Sequence, residues 1–197
     1  FCLSRGLGDV YKRQEHERAL LREEGVWSGP AASIPLPVDL ETDAGRMPTD
    51  GSVGVLGYFY PGKGHDEAAR AAAQAGIGRM TVLGRASEGH AAELEDFVRR
   101  AGDLGVEVEV TGWLDDAEIA RRGRAVSVPV IAHRHVSASG SLASWIGWGR
   151  RPVAVRNRYM DEMATLRPGT LHTVDEPELA VAVLSLIHIS EPTRQAE

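Results

Sequence analysis

From Ser52 onward the chain alternates short apolar runs with amphipathic stretches, and this alternation constrains the fold more than any other feature. The apolar runs have the length of β-strands, and the stretches between them have the apolar spacing and end signals of helices. The predicted strands are 53–60, 80–84, 106–112, 125–131, 151–157 and 170–174, and the predicted helices are 65–76, 88–105, 115–123, 140–149 and one that starts at 175. Such alternation requires right-handed crossovers and a parallel sheet covered by helices on both faces. The prediction is an α/β fold, a Rossmann-like doubly wound parallel sheet.

Other parts of the chain have weaker patterns. Residues 106–112 alternate apolar and charged side chains, which indicates a strand with one wet face, nearer the sheet edge. Residues 158–169 show no clear period and are interpreted as irregular. Upstream, 15–24 have the composition of a charged helix, and the Pro, Gly and Asp content of 25–51 is typical of a linker or extended segment.

The two chain ends are related to each other at the level of DNA. Residues 4–14 (SRGLGDVYKRQ) and 184–194 (LSLIHISEPTR) can be encoded by one DNA segment and by its reverse complement. This relationship indicates a sequencing adapter attached to both ends of a DNA fragment. We therefore interpret 1–14 and 184–197 as adapter-derived, 15–50 as the tail of a missing N-terminal domain with its linker, and 51–183 as the folded domain.

The charge balance of the remaining chain excludes some classes of partner. Residues 15–183 carry 18 Lys and Arg against 25 Asp and Glu, so neither a nucleic-acid nor an anionic-membrane partner is expected. The one cysteine, Cys2, lies in an end segment, so no Cys-based metal site is expected. No apolar run approaches the ~20 residues of a transmembrane segment. A cytoplasmic protein is the resulting expectation.

The loop after the first predicted strand has the spacing of a phosphate-binding P-loop with one change. In GYFYPGKG (57–64), Gly64 stands where a Ser or Thr hydroxyl would bind Mg²⁺, and residues 58–60 are bulky aromatics. These departures argue against a P-loop NTPase. Lys63 is nevertheless the single lysine beside 17 arginines in 15–183, a bias that suggests a GC-rich bacterial genome. A specific role for this compact charge is favoured over a solvated loop lysine.

A second loop with anion-binding chemistry follows the fourth predicted strand. Ser139, Gly140 and Ser141 precede a helix, where the same amides can bind an anion or the hydroxyls can simply cap the helix. In doubly wound sheets, ligands bind beyond the carboxyl ends of the strands, so the two loops suggest one extended phosphate ligand between them. His133 and His135 would face the same side, but no third ligand is near, so no metal site is expected.

An aromatic residue stands at the end of the third predicted strand. Trp113 and Leu114 could border a nucleobase, and simple packing is an equally common role for a tryptophan there.

The order of these features resembles the C-terminal, nucleotide-sugar-binding half of a GT-B-fold retaining glycosyltransferase, in the family 4-like group that includes sucrose synthase-like enzymes and mannosyltransferases. The resemblance covers about 33–183. It is carried by SIPLPVD (33–39), GYFYPGKGHDE (57–67), MTVLGRAS (80–87), VEVTGWLDDAEIA (108–120), SVPVIAHRHVSASGSLASWIGWGRRPV (127–153) and LHTVDEPELAVAV (171–183).

The resemblance implies a set of donor contacts. Lys63, with the amides of Gly62, Gly64, Gly140 and Ser141, would stabilise the leaving diphosphate without a bound metal, so no cofactor is expected. The further implied contacts are Ser139 on the diphosphate, Trp113 and Leu114 on the base, and Arg85, His133 and Arg134 as possible donor contacts. The implied partners are a nucleotide sugar and a missing N-terminal acceptor-binding domain, and no catalytic residue can be assigned. We expect this piece alone to be inactive.

Two departures from the family pattern keep other functions open. The family carries two glutamates in the fourth loop and following helix, whereas SASGSLASW (137–145) has none, and Ser144 stands about where the ribose-binding glutamate would be. The arginine that often precedes the lysine is also absent. One alternative is a non-catalytic GT-B-like nucleotide-binding module. The other is a sugar-nucleotide epimerase, and paired carboxylates near the donor sugar would favour the epimerase.

Overall fold

The structure is a computed structural model that describes residues 10–12, 15–40, 48–133, 136 and 138–190. Its strands are β1 (Val10–Lys12), β2 (Ala31–Ser33), β3 (Val53–Leu56), β4 (Arg79–Leu83), β5 (Glu107–Val110), β6 (Val128–Ile131), β7 (Val153–Val155) and β8 (His172–Val174). Its helices are α1 (Glu15–Glu23), α2 (His65–Gln74), α3 (Ala91–Asp103), α4 (Asp116–Ala125), α5 (Gly140–Gly147), α6 (Arg158–Leu166) and α7 (Leu179–Ser190), with a 3₁₀ turn at Glu176–Glu178 before α7.

Six strands form one sheet in the order β5-β4-β3-β6-β7-β8, and every pairing is parallel. The chain builds outward from β3 to β5, then crosses back and builds outward from β6 to β8. The strand order therefore reverses between β3 and β6, and in such sheets the ligand crevice lies at this switch point, beyond the carboxyl ends of the strands. The predicted Rossmann-like α/β fold is confirmed.

Helices cover both faces of the sheet because buried side chains alternate along its central strands. Val53 and Val55 of β3 belong to a cluster with residues of α2, α3 and α7, whereas Leu56 belongs to a cluster with residues of α5 and α6. Successive residues of a strand point to opposite faces, so each cluster fills one face. The largest buried side chains are Phe97 in the first cluster and Trp145 in the second.

The edge strand follows the sequence prediction. β5 pairs only with β4 among the described strands, and its Glu107 and Glu109 are exposed while Val108 and Val110 are half-buried. The alternation of charged and apolar residues thus predicted both the position of β5 and its wet face.

Two predictions about local structure are wrong. The first strand ends at Leu56 rather than at residue 60, because Gly57 has a φ of 109° that a strand cannot continue. The segment interpreted as irregular contains helix α6, whose start is capped by Asn157 through a hydrogen bond from the Met160 amide at 2.9 Å. Its buried residues, Tyr159, Met160 and Met163, have the spacing of one helical face and were the missed signal.

The segments outside 51–183 also contact the described fold. β1 and β2 form a separate two-stranded parallel sheet, and α1 packs on α6. Helix α7 continues to Ser190, and Ile187 is buried in the first cluster. These contacts give the positions of the described parts of both end segments. The adapter origin of 1–14 and 184–197 and the domain boundaries stay predictions. Among the described residues, no helix combines the length and apolar character needed to cross a membrane.

Candidate functional site

The loop between β3 and α2 turns sharply and places Lys63 against its own backbone. Gly57, Gly62 and Gly64 all have positive φ, and Gly64 precedes α2 without a side-chain cap. A methyl group on Gly57 would lie 3.4 Å from Lys63 Nζ, so the ammonium folds back over the end of β3. The first-turn amides of α2 have no acceptor within the helix and are available to an anion.

Lys63 is a buried cation without a compensating anion. It is 8% exposed, and its Nζ lies 5.9 Å from the centre of the Tyr60 ring. Burial lowers the pKa of Lys63 to about 8, with no carboxylate acting against that effect. Within the described part of the chain, its side chain has no hydrogen-bond or ion-pair partner. A buried charge is costly unless it is paired, so this site is suited to an incoming anion.

A cleft of about 540 Å³ brings Lys63 together with the start of α5. One wall is the β3–α2 loop, a second is the start of α4, and the third is α5. The lining residues are Leu56, Gly57, Tyr58, Tyr60, Lys63, Asp116, Ile119, Ser141, Ser144 and Trp148. The two loops singled out in the sequence thus meet at one cleft at the switch point of the sheet, and the volume suits a small-molecule ligand.

The serines before α5 serve the helix as well as the cleft. Ser139 is buried, and its Oγ accepts a hydrogen bond from the Leu142 amide at 3.2 Å, so it caps the helix. Its hydroxyl also lies 3.0 Å from that of Ser141, which lines the cleft. Gly140 is exposed at the first position of α5. The capping interpretation therefore holds for Ser139, while the amides of Gly140 and Ser141 have no acceptor inside the helix.

Two buried histidines flank Lys63. His65, at 2% exposed, packs against the rings of Phe59 and Phe97, with centroid distances of 4.8 and 5.7 Å. Burial, reinforced by the Lys63 charge, lowers the pKa of His65 to about 3, and the same two causes lower the pKa of His133 to about 3. Both imidazoles are thus neutral near pH 7, which leaves Lys63 as the charged group of the three.

His133 itself faces a neighbouring cavity. This space of about 500 Å³ lies past the ends of β6 and β7 and is also lined by Glu67, Arg156, Asn157 and Glu176. His133 is therefore close enough to feel the Lys63 charge but does not line the Lys63 cleft.

The remaining predicted contacts lie at the rim or elsewhere. Arg85 is exposed, and its Cζ lies 5.7 Å from the centre of the Tyr58 ring, which does line the cleft. Trp113 is 73% exposed, and Leu114 packs against the second core cluster; neither lines the cleft. Their role beside a base stays a prediction. Arg134, like His135 of the two-histidine metal hypothesis, lies outside the described residues, and the prediction of no metal remains untested.

Sequence reasoning missed several residues of the cleft wall. Tyr58 and Tyr60 were interpreted as obstacles to a P-loop, yet they line the cleft around Lys63. Asp115 caps α4 by accepting a hydrogen bond from the Glu118 amide at 2.8 Å, and its neighbour Asp116 lines the cleft. Trp148 follows α5 and also lines the cleft, and only its helical spacing from Ser144 indicated this position in the sequence.

A pair of carboxylates that follows Tyr159 lies away from the cleft. Asp161 contacts Arg156 at 2.9 Å, and Glu162 accepts hydrogen bonds from the start of α1. Both carboxylates are engaged in contacts within the fold.

No protein-family model matches the chain, and no curated protein matches its sequence. Solved structures do match. A mutant of S. aureus TarM in complex with Fondaparinux, alpha-GlcNAc-glycerol and UDP is 16% identical with a TM-score of 0.73, over 92% of this chain and 37% of TarM. Anabaena Alr3699/HepE in complex with UDP and glucose is 17% identical with a TM-score of 0.74, over 93% of this chain and 54% of HepE. Sucrose-phosphate synthase from Thermosynechococcus elongatus is 19% identical with a TM-score of 0.71, over 93% of this chain and 49% of the synthase.

The chain spans from 37% to 54% of the length of these three proteins. At such identities the likeness concerns the fold. The chain therefore has the Rossmann-like α/β fold of one GT-B glycosyltransferase domain.

Proposed function

We propose that the chain is the donor-binding part of a glycosyltransferase that uses a nucleotide-diphosphate sugar. The observation that carries this proposal is the buried, uncompensated ammonium of Lys63 in a cleft at the switch point of the sheet. A diphosphate supplies the missing negative charge, and the first-turn amides of α2 and α5 add hydrogen bonds to it. The UDP present in the TarM and HepE structures supports the choice of a nucleotide ligand.

In the proposed reaction, the enzyme stabilises the charge that develops on the departing diphosphate. Lys63 holds a positive charge beside the leaving group, and the desolvated surroundings strengthen that interaction. A retaining hexosyltransferase reaction in the bacterial cytoplasm is the finer form of the proposal. The acceptor and its groups would come from a further domain of the whole protein, and residues 15–183 by themselves would bind the donor and transfer nothing.

A non-catalytic nucleotide-binding module is the second candidate. It is favoured by the absence of any carboxylate from SASGSLASW (137–145), where the resemblance leads one to expect two. An epimerase has less support, because Asp116 is the one carboxylate among the described residues that line the cleft.

Calorimetric titration of UDP, ADP and GDP tests the shared element of these candidates. We expect at least one diphosphate to bind the full chain. Lys63→Ala should lower the affinity for that diphosphate about 10- to 100-fold, the effect of losing a charge-assisted hydrogen bond. Arg99→Ala is the matched control, because Arg99 is an exposed cation on α3, outside the cleft. Absence of binding by the parent chain, or equal binding by parent and Lys63→Ala, would remove Lys63 from the site.

The predicted base contact is tested in the same titrations. Trp113 is exposed, so Trp113→Ala should leave the fold intact. If the base stacks on the indole, the variant should bind the nucleoside diphosphate more weakly than the parent. Unchanged affinity would leave Trp113 as a surface residue only.

A further inference from the structure

One wall of the cleft carries a negatively charged side chain and another carries hydroxyl groups. Asp116 opens α4, and Ser141 and Ser144 lie on α5; all three line the same space as Lys63. Within the part of the chain that the structure describes, Asp116 is the only carboxylate that lines this space. Of these three residues, only Ser141 was part of the diphosphate site inferred from the two loops.

The carboxylate of Asp116 is free to accept hydrogen bonds from a ligand. The neighbouring Asp115 provides the helix cap, so Asp116 is not needed for it. Within the described part of the chain, Asp116 forms no hydrogen bond and no ion pair, Lys63 included. The cleft thus keeps a cation and an anion on separate walls, each without a hydrogen-bond or ion-pair partner among the described residues.

These two charges require different chemistry from different parts of one ligand. A phosphate at Asp116 would be repelled, so the part of the ligand that faces it must donate hydrogen bonds. A ligand anchored at Lys63 by its diphosphate carries its nearest hydrogen-bond donors on the adjoining sugar. Carboxylates bind the ribose hydroxyls of nucleotides in other Rossmann-like sheets as well.

We propose that Asp116 accepts hydrogen bonds from the ribose hydroxyls of the bound nucleotide and thereby selects ribonucleotides over deoxyribonucleotides. This inference rests on the proposed function, because it requires a nucleotide in the Lys63 cleft. Ser141 and Ser144 face the same polar region from α5 and can exchange hydrogen bonds with the hydroxyls that Asp116 leaves unpaired.

The test compares affinities for ribose and deoxyribose forms of one nucleotide. UDP and its 2′-deoxy and 3′-deoxy forms are titrated against the full chain, and the series is repeated with ADP and GDP. We expect at least one deoxy form of the nucleotide that binds to be about tenfold weaker than its ribose form, the effect of one hydrogen bond to a charged group. In Asp116→Asn this ratio should fall to about twofold or less.

The ratio is the informative quantity because Asp116 also affects its helix. An acidic residue in the first turn of α4 interacts favourably with the helix dipole, so Asp116→Asn can alter stability and overall affinity for that reason alone. A helix effect changes the ribose and deoxyribose affinities together and leaves their ratio unchanged. Asp103→Asn, an exposed carboxylate at the end of α3, is the matched control and should retain the parent ratio.

The outcomes separate this inference from the proposed function. If no diphosphate binds the parent, the proposed function fails, and the inference fails with it. If a diphosphate binds in a Lys63-dependent way but ribose and deoxyribose forms bind equally, the proposed function stands and the Asp116 inference is overturned. A parent ratio that persists in Asp116→Asn also overturns it and places the selective contact elsewhere, with Ser144→Ala as the next variant to titrate.

Discussion

A methyl group added to Gly64 would lie 2.4 Å from the backbone carbonyl oxygen of Ala132. The start of α2 and the end of β6 are therefore in direct backbone contact at the point where the strand order reverses. Gly64 also has a φ of 95°, which other residues adopt only with strain. The glycine that stands where a P-loop has a hydroxyl residue is thus required by the close approach of two backbones, and it brings the loops after β3 and β6 together.

We expect Gly64→Ala to be among the more destabilising single changes in this chain. Both the positive φ and the contact with the Ala132 carbonyl oppose the new methyl group, and together they should lower the free energy of unfolding by about 3 kcal/mol or more. The measurement is urea unfolding followed by circular dichroism.

Gly62→Ala separates the two causes. Gly62 has a similar φ of 88°, but a methyl group there would meet nothing within 4 Å. This control should lose only about 1 to 2 kcal/mol through backbone strain. Equal losses in the two variants would show that the approach of α2 to β6 can relax.

The fold could be predicted from the sequence because its signals are local and repeated. The strand-to-helix alternation predicted the parallel sheet, and Glu107 and Glu109 indicated the wet edge strand. Helix α6 was missed because its apolar face consists of Tyr159 and two methionines among charged residues, without a long apolar period. The cap at Asn157 was present in the sequence but is uninformative until a helix is suspected.

A stability measurement against pH tests whether the Lys63 ammonium is desolvated. The pKa of Lys63 is about 8 in the folded chain against 10.5 for a fully hydrated lysine, so between these values the unfolded chain holds more protons and stability rises with pH. Lys63→Met has no such titration. We expect the variant to be more stable than the parent by about 3 kcal/mol at pH 7, and this gap to shrink as pH rises through 8 towards 10.5.

Urea unfolding of parent and Lys63→Met at about pH 7, 8.5 and 10, which run from below the folded pKa to just below the unfolded one, gives this difference in stability directly. Taking the difference between the two proteins removes the titration of groups that they share. Arg99→Met, a change of an exposed cation on α3, should show no pH-dependent gap. A gap for Lys63→Met that stays constant with pH would mean that the ammonium remains hydrated in the cleft.

Acid sensitivity is expected from His65. Neither of its ring nitrogens has a hydrogen-bond partner in the described structure, and burial lowers its pKa from 6.5 to about 3. As pH falls through 6.5, the unfolded chain takes up a proton that the folded chain cannot, so stability decreases until about pH 3. His65→Leu should remove about 2 to 3 kcal/mol of the loss between about pH 7 and pH 4.5.

Acid unfolding midpoints by circular dichroism measure this effect. His133 has a lowered pKa for the same reasons, so His65→Leu should reduce the acid sensitivity without abolishing it. His172→Leu changes an exposed histidine of β8 and should leave the midpoint near that of the parent. An unchanged midpoint in His65→Leu would show that His65 is hydrated or paired in solution.

The site could be predicted less completely than the fold, and the reason is geometric. Sequence spacing places Lys63 and Ser141 at strand ends, and the parallel sheet then brings them to one cleft. Nothing in the spacing distinguishes Asp115 from Asp116, since which of two adjacent carboxylates caps a helix depends on where the chain enters it. Trp113 stands at a strand end, is 73% exposed and does not line the cleft, so its predicted contact with a base depends on where the ligand extends beyond the cleft.

The attachment of α1 to the domain depends on Glu162 of α6. Its carboxylate accepts hydrogen bonds from the Glu15 amide at 2.6 Å and the His16 amide at 2.8 Å, and it lies 2.7 Å from His16 Nδ1. Burial by itself would raise the pKa of Glu162, but the hydrogen bonds from α1 outweigh it and hold the pKa below its usual value. This contribution to stability is therefore present near pH 7 and is lost as pH falls through the lowered pKa.

We expect Glu162→Ala to release α1 while the six-stranded sheet stays folded. Removing the carboxylate leaves first-turn amides of α1 without their acceptor, which should cost about 1 to 3 kcal/mol. Hydrogen–deuterium exchange should then speed up in α1 and remain slow in β3 and β6. Asp161→Ala is the control from the next position of the same helix, since its contact with Arg156 is exposed and worth at most about 1 kcal/mol. Faster exchange across the whole sheet in Glu162→Ala would instead mean that α1 folds as one cooperative unit with the domain.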